Sequence, residues 1–519
     1  MKNMKYNLVI LLIGLLTFQG LFAQVENRTF PYHASLEGTS APTNIVEEIK
    51  SGAPTGSNRY TNEGLRLTYD TNKHALSGFY LKDLEVKMNY AIEIDFTFAT
   101  SDGREYYGTY GDGISLFFFD ATASFSLGST GSGVGYAYNS SPSNRQAGLN
   151  GAYLGVNLDV FGDAKGRMNS GGVKREGISG ITFQKHDSHI TIRGGQHQND
   201  RYKGYPVIFS QQTQSGRQSN PDAATAKLDF DTGEFEEESY SPSVPHLRTE
   251  YANTTRFNKF SFTYNPIHSQ YEEKGSILQF YVRDSYGATS GGNSGAIFYK
   301  NSFRTRDEDG ALYTFKGKDI NSYKIGIAAS TGDATETHII KDISVRLVHA
   351  PVTKDKKIIL CLTDGGDDRE GYVSIKDPFR GATFYVGDPG DPGRPKLGDT
   401  YNHIDFKSVR LEDEEGYPLD YRIEQSATTW SQIYNERGVG EWDLTYNEFG
   451  ATLYFTPANR NMEEGDYDIY ISAKSVEKND GSPFGYEDYR SRPTKITVQA
   501  KHCKAVVNPS LPIRVIEEE

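Results

Sequence analysis

Short runs of alternating apolar and polar residues recur along the chain and predict β-strands throughout. In residues 92–98, Ile and Phe alternate with Glu, Asp and Thr, which is typical of a strand with one buried face. Residues 113–119 and 154–158 are more fully apolar and predict buried strands, while residues 260–264 and 277–282 predict a hairpin pair. Turn residues separate these runs and long amphipathic helical patterns are absent. The predicted fold class is therefore all-β, built from β-sandwiches.

The length of the chain, 519 residues, suggests two or three domains. Residues 24–350 predict one large β domain, in which the pattern weakens between 194 and 255 and favours long loops with a short hairpin at the sandwich edge. Pro351 ends the last strand of this domain. Further strand-like runs separated by turn clusters then predict one or two immunoglobulin-like β-sandwich modules over residues 351–505. Residues 506–519 are too short for a domain and are expected to form a tail.

The first 23 residues have the pattern of a signal peptide. Lys2 and Lys5 precede an apolar run at residues 8–16, and Ala23 ends a plausible cleavage site. The run is short for a bilayer span, so we expect an exported protein, secreted or displayed at a cell surface, with no transmembrane segment in the mature chain. The formal net charge of −13 makes nucleic acid and anionic lipid poor partners.

The chain has two cysteines, Cys361 and Cys503, which flank most of the C-terminal region. Export would place them where a disulfide can form, tying the first strand of that region to its last. The alternative is a buried thiol at Cys361 and a separate Cys503. The sequence leaves both possibilities open.

Three segments of the large domain, at residues 111–136, 151–163 and 325–338, resemble in this order motifs of the L-type (legume-like, concanavalin A-like) lectins. Residues 111–118 (GDGISLFF) open an aromatic strand with Asp-Gly, and the glycine-rich residues 128–136 follow. Residues 151–163 (GAYLGVNLDVFGD) are similar to the metal-loop strand of that family, and residues 325–338 to its last binding loop. Residues 188–194 (SHITIRG) resemble bacterial members, which occur in surface and adhesin proteins. The resemblance implies a jelly-roll sandwich with a sugar site in the loops at one edge.

The resemblance also implies roles for individual residues. Asp112, after a cis peptide bond from Gly111, would accept hydrogen bonds from two sugar hydroxyls, and a backbone N–H of the turn at 131–133 would donate to the same sugar. Phe161 would stack its ring on the apolar face of the pyranose. The implied carbohydrate site comprises Asp112, Gly131, Gly133, Phe161, Asp163, Asp333 and Ala334.

The metal loop of the family is only partly matched. Asp159, the carbonyl of Phe161 and Asp163 would be the calcium ligands, since hard oxygen donors suit that ion. The family has a glutamate where this chain has Asn157, and a later aspartate and histidine are missing near residues 166–172. We therefore expect no manganese site. Calcium at Asp159, Phe161 and Asp163 and a metal-free loop held by hydrogen bonds both stay open.

Charge-assisted hydrogen bonds to fixed carboxylates and stacking on aromatic rings are the interactions by which proteins recognise sugars. The predicted function is thus reversible glycan binding by a lectin-like protein or adhesin, not catalysis. One alternative is a structural surface protein whose lectin domain no longer binds sugar, as the incomplete metal loop suggests. Another is a glycoside hydrolase of the same sandwich shape. Glu93 and Asp95 resemble the start of the catalytic strand of laminarinase-like glycoside hydrolases, but the second glutamate that the chemistry needs is absent.

Overall fold

The computed structural model contains two compact units, one of residues 31–347 and one that includes the described residues from 356 onward. It describes residues 30–88, 90–140, 143–166, 188–213, 225–238, 244–251, 254–267, 275–284, 290–292, 297–307, 310–347, 356–361, 372–374, 382–383, 404–413, 419, 422–425, 430–436, 440–447, 450–457, 464–475 and 494–502. The predicted signal peptide and tail lie outside these residues. No helix among them is long and apolar enough to cross a bilayer.

Strands make up nearly all the regular structure of the first unit, and the helical residues described there form two 3₁₀ turns, Gly56–Asn58 and Gly131–Gly133. The strands are β1 (Tyr32–Ser35), β2 (Ile45–Ile49), β3 (Tyr60–Thr61), β4 (Gly64–Thr68), β5 (Leu76–Leu81), β6 (Val86–Lys87), β7 (Ile92–Arg104), β8 (Gly113–Asp120), β9 (Ala152–Asp159), β10 (His189–Gly194), β11 (Gln196–His197), β12 (Asp200–Gly204), β13 (Val207–Gln212), β14 (Thr225–Leu228), β15 (Phe235–Glu238), β16 (Glu250–Tyr251), β17 (Thr254–Thr255), β18 (Asn258–Ile267), β19 (Gly275–Arg283), β20 (Ser290–Gly292), β21 (Ile297–Tyr299), β22 (Ser302–Arg306), β23 (Leu312–Lys316), β24 (Ser322–Ser330) and β25 (Thr335–Leu347).

Two large antiparallel sheets face each other in this unit. The nine-stranded sheet has the order β20-β19-β18-β7-β25-β4-β3, with β1 paired to β25 and β21 to β19. The ten-stranded sheet has the order β15-β14-β13-β10-β9-β8-β24-β5-β2, with β6 paired to β24. Aromatic rings meet between them: Phe118 of β8 lies 5.9 Å from Phe262 and 5.7 Å from Tyr264, both on β18. The predicted all-β sandwich is confirmed, including the β18–β19 hairpin.

A third layer covers the outer face of the ten-stranded sheet. Phe117 and Phe119 point away from Phe118 and pack with Tyr136, Tyr138 and further residues of the segment 121–150. Both faces of β8 are therefore buried, which explains why its sequence is continuously apolar instead of alternating.

The described residues between 194 and 255 form more strands than predicted. Instead of loops with one hairpin, the chain continues from β10 into β13, β14 and β15, which extend the ten-stranded sheet to its edge. These short strands were not predicted because they contain polar residues. β13 has the sequence Val-Ile-Phe-Ser-Gln-Gln, yet all six residues are buried. Its buried polar side chains break the alternation by which a strand is recognised.

The second unit contains two five-stranded sheets. Their orders are β27-β26-β35-β34-β29 and β28-β33-β32-β31-β30. The strands are β26 (Lys356–Cys361), β27 (Tyr372–Ser374), β28 (Ala382–Thr383), β29 (Ile404–Glu412), β30 (Arg422–Gln425), β31 (Trp430–Glu436), β32 (Gly440–Asn447), β33 (Gly450–Pro457), β34 (Gly465–Ser475) and β35 (Thr494–Lys501). β26 pairs in parallel with both β27 and β35. The immunoglobulin-like assignment stays a prediction, as does the disulfide, because Cys503 lies outside the described residues.

Candidate functional site

Three strand ends bring the predicted site segments together. β8 lies between β9 and β24, and its first residue, Gly113, pairs with Asp159 at the end of β9 and with Ser330 at the end of β24. Asp112 precedes β8 at this same edge, and the loop of residues 331–334 follows β24. That loop crosses from the ten-stranded sheet to β25 in the nine-stranded sheet, so it closes the edge of the sandwich.

The backbone of Asp112 is fixed by both neighbouring segments. Its N–H donates to the carbonyl of Ser330 at 3.0 Å, and its carbonyl accepts from the N–H groups of Val160 and Phe161 at 2.9 and 3.1 Å. The Gly111–Asp112 peptide bond is cis, as the resemblance implied. Because these bonds use only the main chain, the carboxylate is held in place without contributing to them.

Two glycines lie beside the Asp112 carboxylate. A Cβ on Gly332 would lie 3.1 Å from both carboxylate oxygens, and a Cβ on Gly131 would lie 3.9 Å from Oδ2. Gly131 has a φ of +66°, which favours glycine. The Ser330 hydroxyl donates to the carbonyl of Gly131 at 2.8 Å and ties the glycine turn to β24. A side chain at Gly332 would therefore crowd the acid, whereas a side chain at Gly131 would be disfavoured by the backbone conformation.

The loop after β24 presents one charged side chain and buries another residue. Asp333 is exposed and accepts a 2.9 Å hydrogen bond from Nζ of Lys73, which lowers the pKa of Asp333 and keeps it ionised. Ala334 is buried, and its carbonyl accepts from the N–H of Gly332 at 3.1 Å. Ala334 is thus placed to shape the loop through its backbone. The neighbouring turn likewise buries Gly133, whose carbonyl accepts from the N–H groups of Tyr136 and Ala137.

The predicted stacking residue, Phe161, is covered by other groups. It is only 5% exposed, its Cβ packs on Gly111, and its ring is nearly parallel to that of Tyr106, with the centroids 6.5 Å apart. Tyr106 and Tyr107 are 38% and 68% exposed. No sequence motif marked these two tyrosines, which form an accessible aromatic surface at this edge.

A tight turn holds the tyrosine pair above the site. Tyr106 and Thr109 exchange backbone hydrogen bonds of 2.9 and 3.2 Å, and the two central residues, Tyr107 and Gly108, have φ of +49° and +77°. Positive φ at both central positions is the geometry of a type I′ hairpin turn. The Arg248 guanidinium lies 3.4 Å above the Tyr110 ring and anchors the end of the turn.

The loop after β9 turns its main carboxylate inward. Asp159 is fully buried, and its two oxygens accept the N–H groups of Gly162 at 2.8 Å and Ala164 at 2.6 Å. Burial and the charge of Asp163 raise the pKa of Asp159 to about 7, although the two N–H donors and Lys165 act in the opposite direction. The carboxylate therefore stabilises the loop through hydrogen bonds.

Two buried cations share this loop. Arg193 of β10 donates to the carbonyls of Ala164 and Gly166, and Nζ of Lys165 lies 3.1 Å from Nδ1 of His189. Burial lowers the pKa of Arg193 to about 10, which still leaves it charged at neutral pH. Within the described parts of the chain, no three His, Cys, Asp or Glu side chains are grouped to hold a metal ion. An acid already bound to amides, with two cations nearby, does not fit the donor set that calcium prefers.

The acids considered for glycoside hydrolysis lie in ion pairs on β7. Glu93 contacts Nη2 of Arg346 at 2.5 Å, and Asp95 contacts Nζ of Lys259 at 2.8 Å. Each carboxylate is thus engaged with a cation of a neighbouring strand, β25 or β18. The two acids lie on a strand of the nine-stranded sheet, whereas Asp112 leads into a strand of the ten-stranded sheet.

Comparison with known proteins finds similarity only among solved structures. No family model matches the chain, and no curated protein matches it in sequence. The exoplasmic/lumenal domain of VIP36, solved with calcium and mannose, is 12% identical, with 62% of this chain and 91% of that chain covered and a TM-score of 0.32. Lectin II from Ulex europaeus is 12% identical (62% and 99% covered, TM-score 0.33), and peanut lectin is 13% identical (60% and 96% covered, TM-score 0.30). Because these identities and TM-scores are low, the function of the site has to be inferred from this chain's own residues.

Proposed function

We propose that this chain is a lectin-like protein that binds glycan reversibly at the sandwich edge formed by the Asp112, 128–137 and 331–334 segments. The observation that carries the proposal is the Asp112 carboxylate, which the backbone fixes between Gly131 and Gly332. A fixed carboxylate accepts charge-assisted hydrogen bonds from hydroxyl groups. Asp112 is 4% exposed, and side chains in place of its neighbouring glycines would cover it further. Bond-breaking chemistry is no part of this proposal.

The rim supplies the second element of sugar recognition. Tyr106 offers an exposed ring next to Phe161, and Asp333 adds an ionised acceptor in the loop after β24. Aromatic rings pack against the apolar C–H face of a pyranose, while the carboxylates bind its hydroxyls. We assign Phe161 the role of supporting Tyr106, and Gly133 and Ala334 that of shaping the two loops.

Secretion or surface display follows from the predicted signal peptide, and an adhesin is the role that we favour. A shallow site of this kind gives weak affinity for a single sugar, so binding at a surface would depend on several copies of the protein acting together. The second unit would then serve as a spacer or a further contact module.

A glycan array tests the proposal directly. The mature chain should bind a defined set of glycans, and a soluble form of the best sugar should compete for binding. The array should be probed once in EDTA and once in millimolar calcium. A correctly folded protein that binds no glycan in either condition would contradict the proposal and favour the structural alternative.

Replacing Tyr106 with alanine should weaken glycan binding by roughly 2- to 12-fold, since an aromatic contact contributes about 0.5–1.5 kcal/mol. Tyr106→Phe should retain most of the affinity, because the ring and not the hydroxyl makes the contact. Isothermal titration with the array-selected glycan measures the change. Tyr281→Ala, which removes a 50% exposed tyrosine from β19, is the matched control. Equal affinities for Tyr106→Ala and the control would remove Tyr106 from the site.

A further inference from the structure

We infer that the buried Arg193 guanidinium organises the loop of residues 159–166 in the place of a metal ion, so that this loop keeps its shape without one. Arg193 is a positioning residue in this account. The inference concerns the loop itself, and rests on the proposed function only where it extends to glycan binding.

The contacts of Arg193 are those of a cation surrounded by carbonyl oxygens. The residue is 1% exposed, and its guanidinium donates to the carbonyls of Ala164 (3.1 and 2.6 Å), Gly166 (2.6 Å) and Tyr205 (2.6 Å). Backbone carbonyls gathered around a positive charge are also a common arrangement at calcium sites. Here the fixed fork of the guanidinium meets several acceptors at once, which a single Lys ammonium on a flexible stem does less well.

Asp159 completes the loop from the opposite side. Its carboxylate binds the N–H groups of Gly162 and Ala164, while Arg193 binds the carbonyls of Ala164 and Gly166. The donors and the acceptors of the same short loop are thus both bound by protein side chains. A metal ion is not needed to satisfy these groups.

The positive charges near this loop disfavour the binding of a divalent cation. Lys165 is 6% exposed and lies against His189, so the loop that Arg193 contacts contains a second buried cation. Placing a further positive charge near buried cations is unfavourable in a low-dielectric interior. The glutamate that the resemblance would require for the manganese site is also absent, since Asn157 is buried on β9 at that position.

Hydrogen exchange followed by mass spectrometry tests the inference on the mature chain. The peptides that cover residues 159–166 should exchange at the same rate in EDTA and in millimolar calcium. Arg193→Lys should speed their exchange by roughly tenfold or more, while peptides from β18 and β19 stay unchanged. Arg346→Lys, a surface ion-pair variant on β25, is the matched control and should leave the loop protected.

Two outcomes would overturn the inference. One is loop exchange that rises in EDTA and falls again with calcium, because a metal ion would then hold the loop. The other is unchanged loop exchange in Arg193→Lys. If that variant does not fold, the comparison of EDTA with calcium on the unmodified chain still decides. A chain that binds no glycan but keeps a protected, EDTA-insensitive loop would contradict the proposed function and leave this inference intact.

Discussion

Replacing Asp112 with asparagine should lower glycan affinity by roughly 10- to 150-fold. Hydrogen bonds to a charged acceptor contribute about 1.5–3 kcal/mol, and this substitution removes the charge while keeping the shape of the side chain. The fold should survive, because the backbone groups of Asp112, and not its carboxylate, bind Ser330, Val160 and Phe161.

Titration calorimetry with the array-selected glycan measures this loss, and circular dichroism and thermal melting check the fold. Asp95→Asn is a suitable control, since Asp95 lies on β7 and pairs with Lys259 instead of entering the site. Undiminished affinity in Asp112→Asn would exclude Asp112 as the sugar-binding acid. A lower melting temperature accompanied by lost binding would point to unfolding, and the Gly332 variant described below would then decide.

Strands could be predicted from the sequence where the burial pattern, with one face buried or both, was the same along the strand. Residues 92–98 alternate because β7 has one face in the core, and residues 113–119 are continuously apolar because β8 is buried on both faces. β13 was missed for the opposite reason, since it buries Ser210, Gln211 and Gln212 within the sheet. Hydrophobic pattern cannot distinguish a buried polar residue from an exposed one.

The meeting of the site segments could not be predicted from pattern alone. Asp112 and Gly332 are more than two hundred residues apart, and they meet because β24 pairs with β8, a non-local choice that only the whole sheet determines. The resemblance to L-type lectins implied that these segments meet in the loops at one edge of a sandwich. It did not supply Tyr106 and Tyr107, whose exposure depends on a turn closed between Tyr106 and Thr109.

The position of Arg193 carries a signal that is present in the sequence. In β10, His189, Thr191 and Arg193 alternate with Ile190 and Ile192, so the arginine shares a face with other polar residues. A charged residue in a buried strand needs a partner, so this alternation is the signal that could have marked Arg193. Only the structure shows that its partners are carbonyls of the metal-loop segment.

Gly332→Ala should abolish most glycan binding without altering the charge of the site. The added methyl would lie 3.1 Å from both oxygens of Asp112, which is where sugar hydroxyls would approach, so affinity should fall by roughly tenfold or more. Gly465→Ala is the matched control, because a Cβ there meets nothing closer than 3.9 Å. Full affinity in Gly332→Ala would show that the ligand does not approach Asp112 past this loop.

Combining Gly332→Ala with Asp112→Asn separates a shared site from two independent effects. If both substitutions act on the same contact between a hydroxyl and the carboxylate, the glycan affinity of the double variant should be about equal to that of the single variant with the lower affinity. Losses that multiply would mean that Gly332 and Asp112 influence binding at different places. Titration of the four proteins, unmodified, two single and one double, therefore tests whether the acid and the loop after β24 form one binding site.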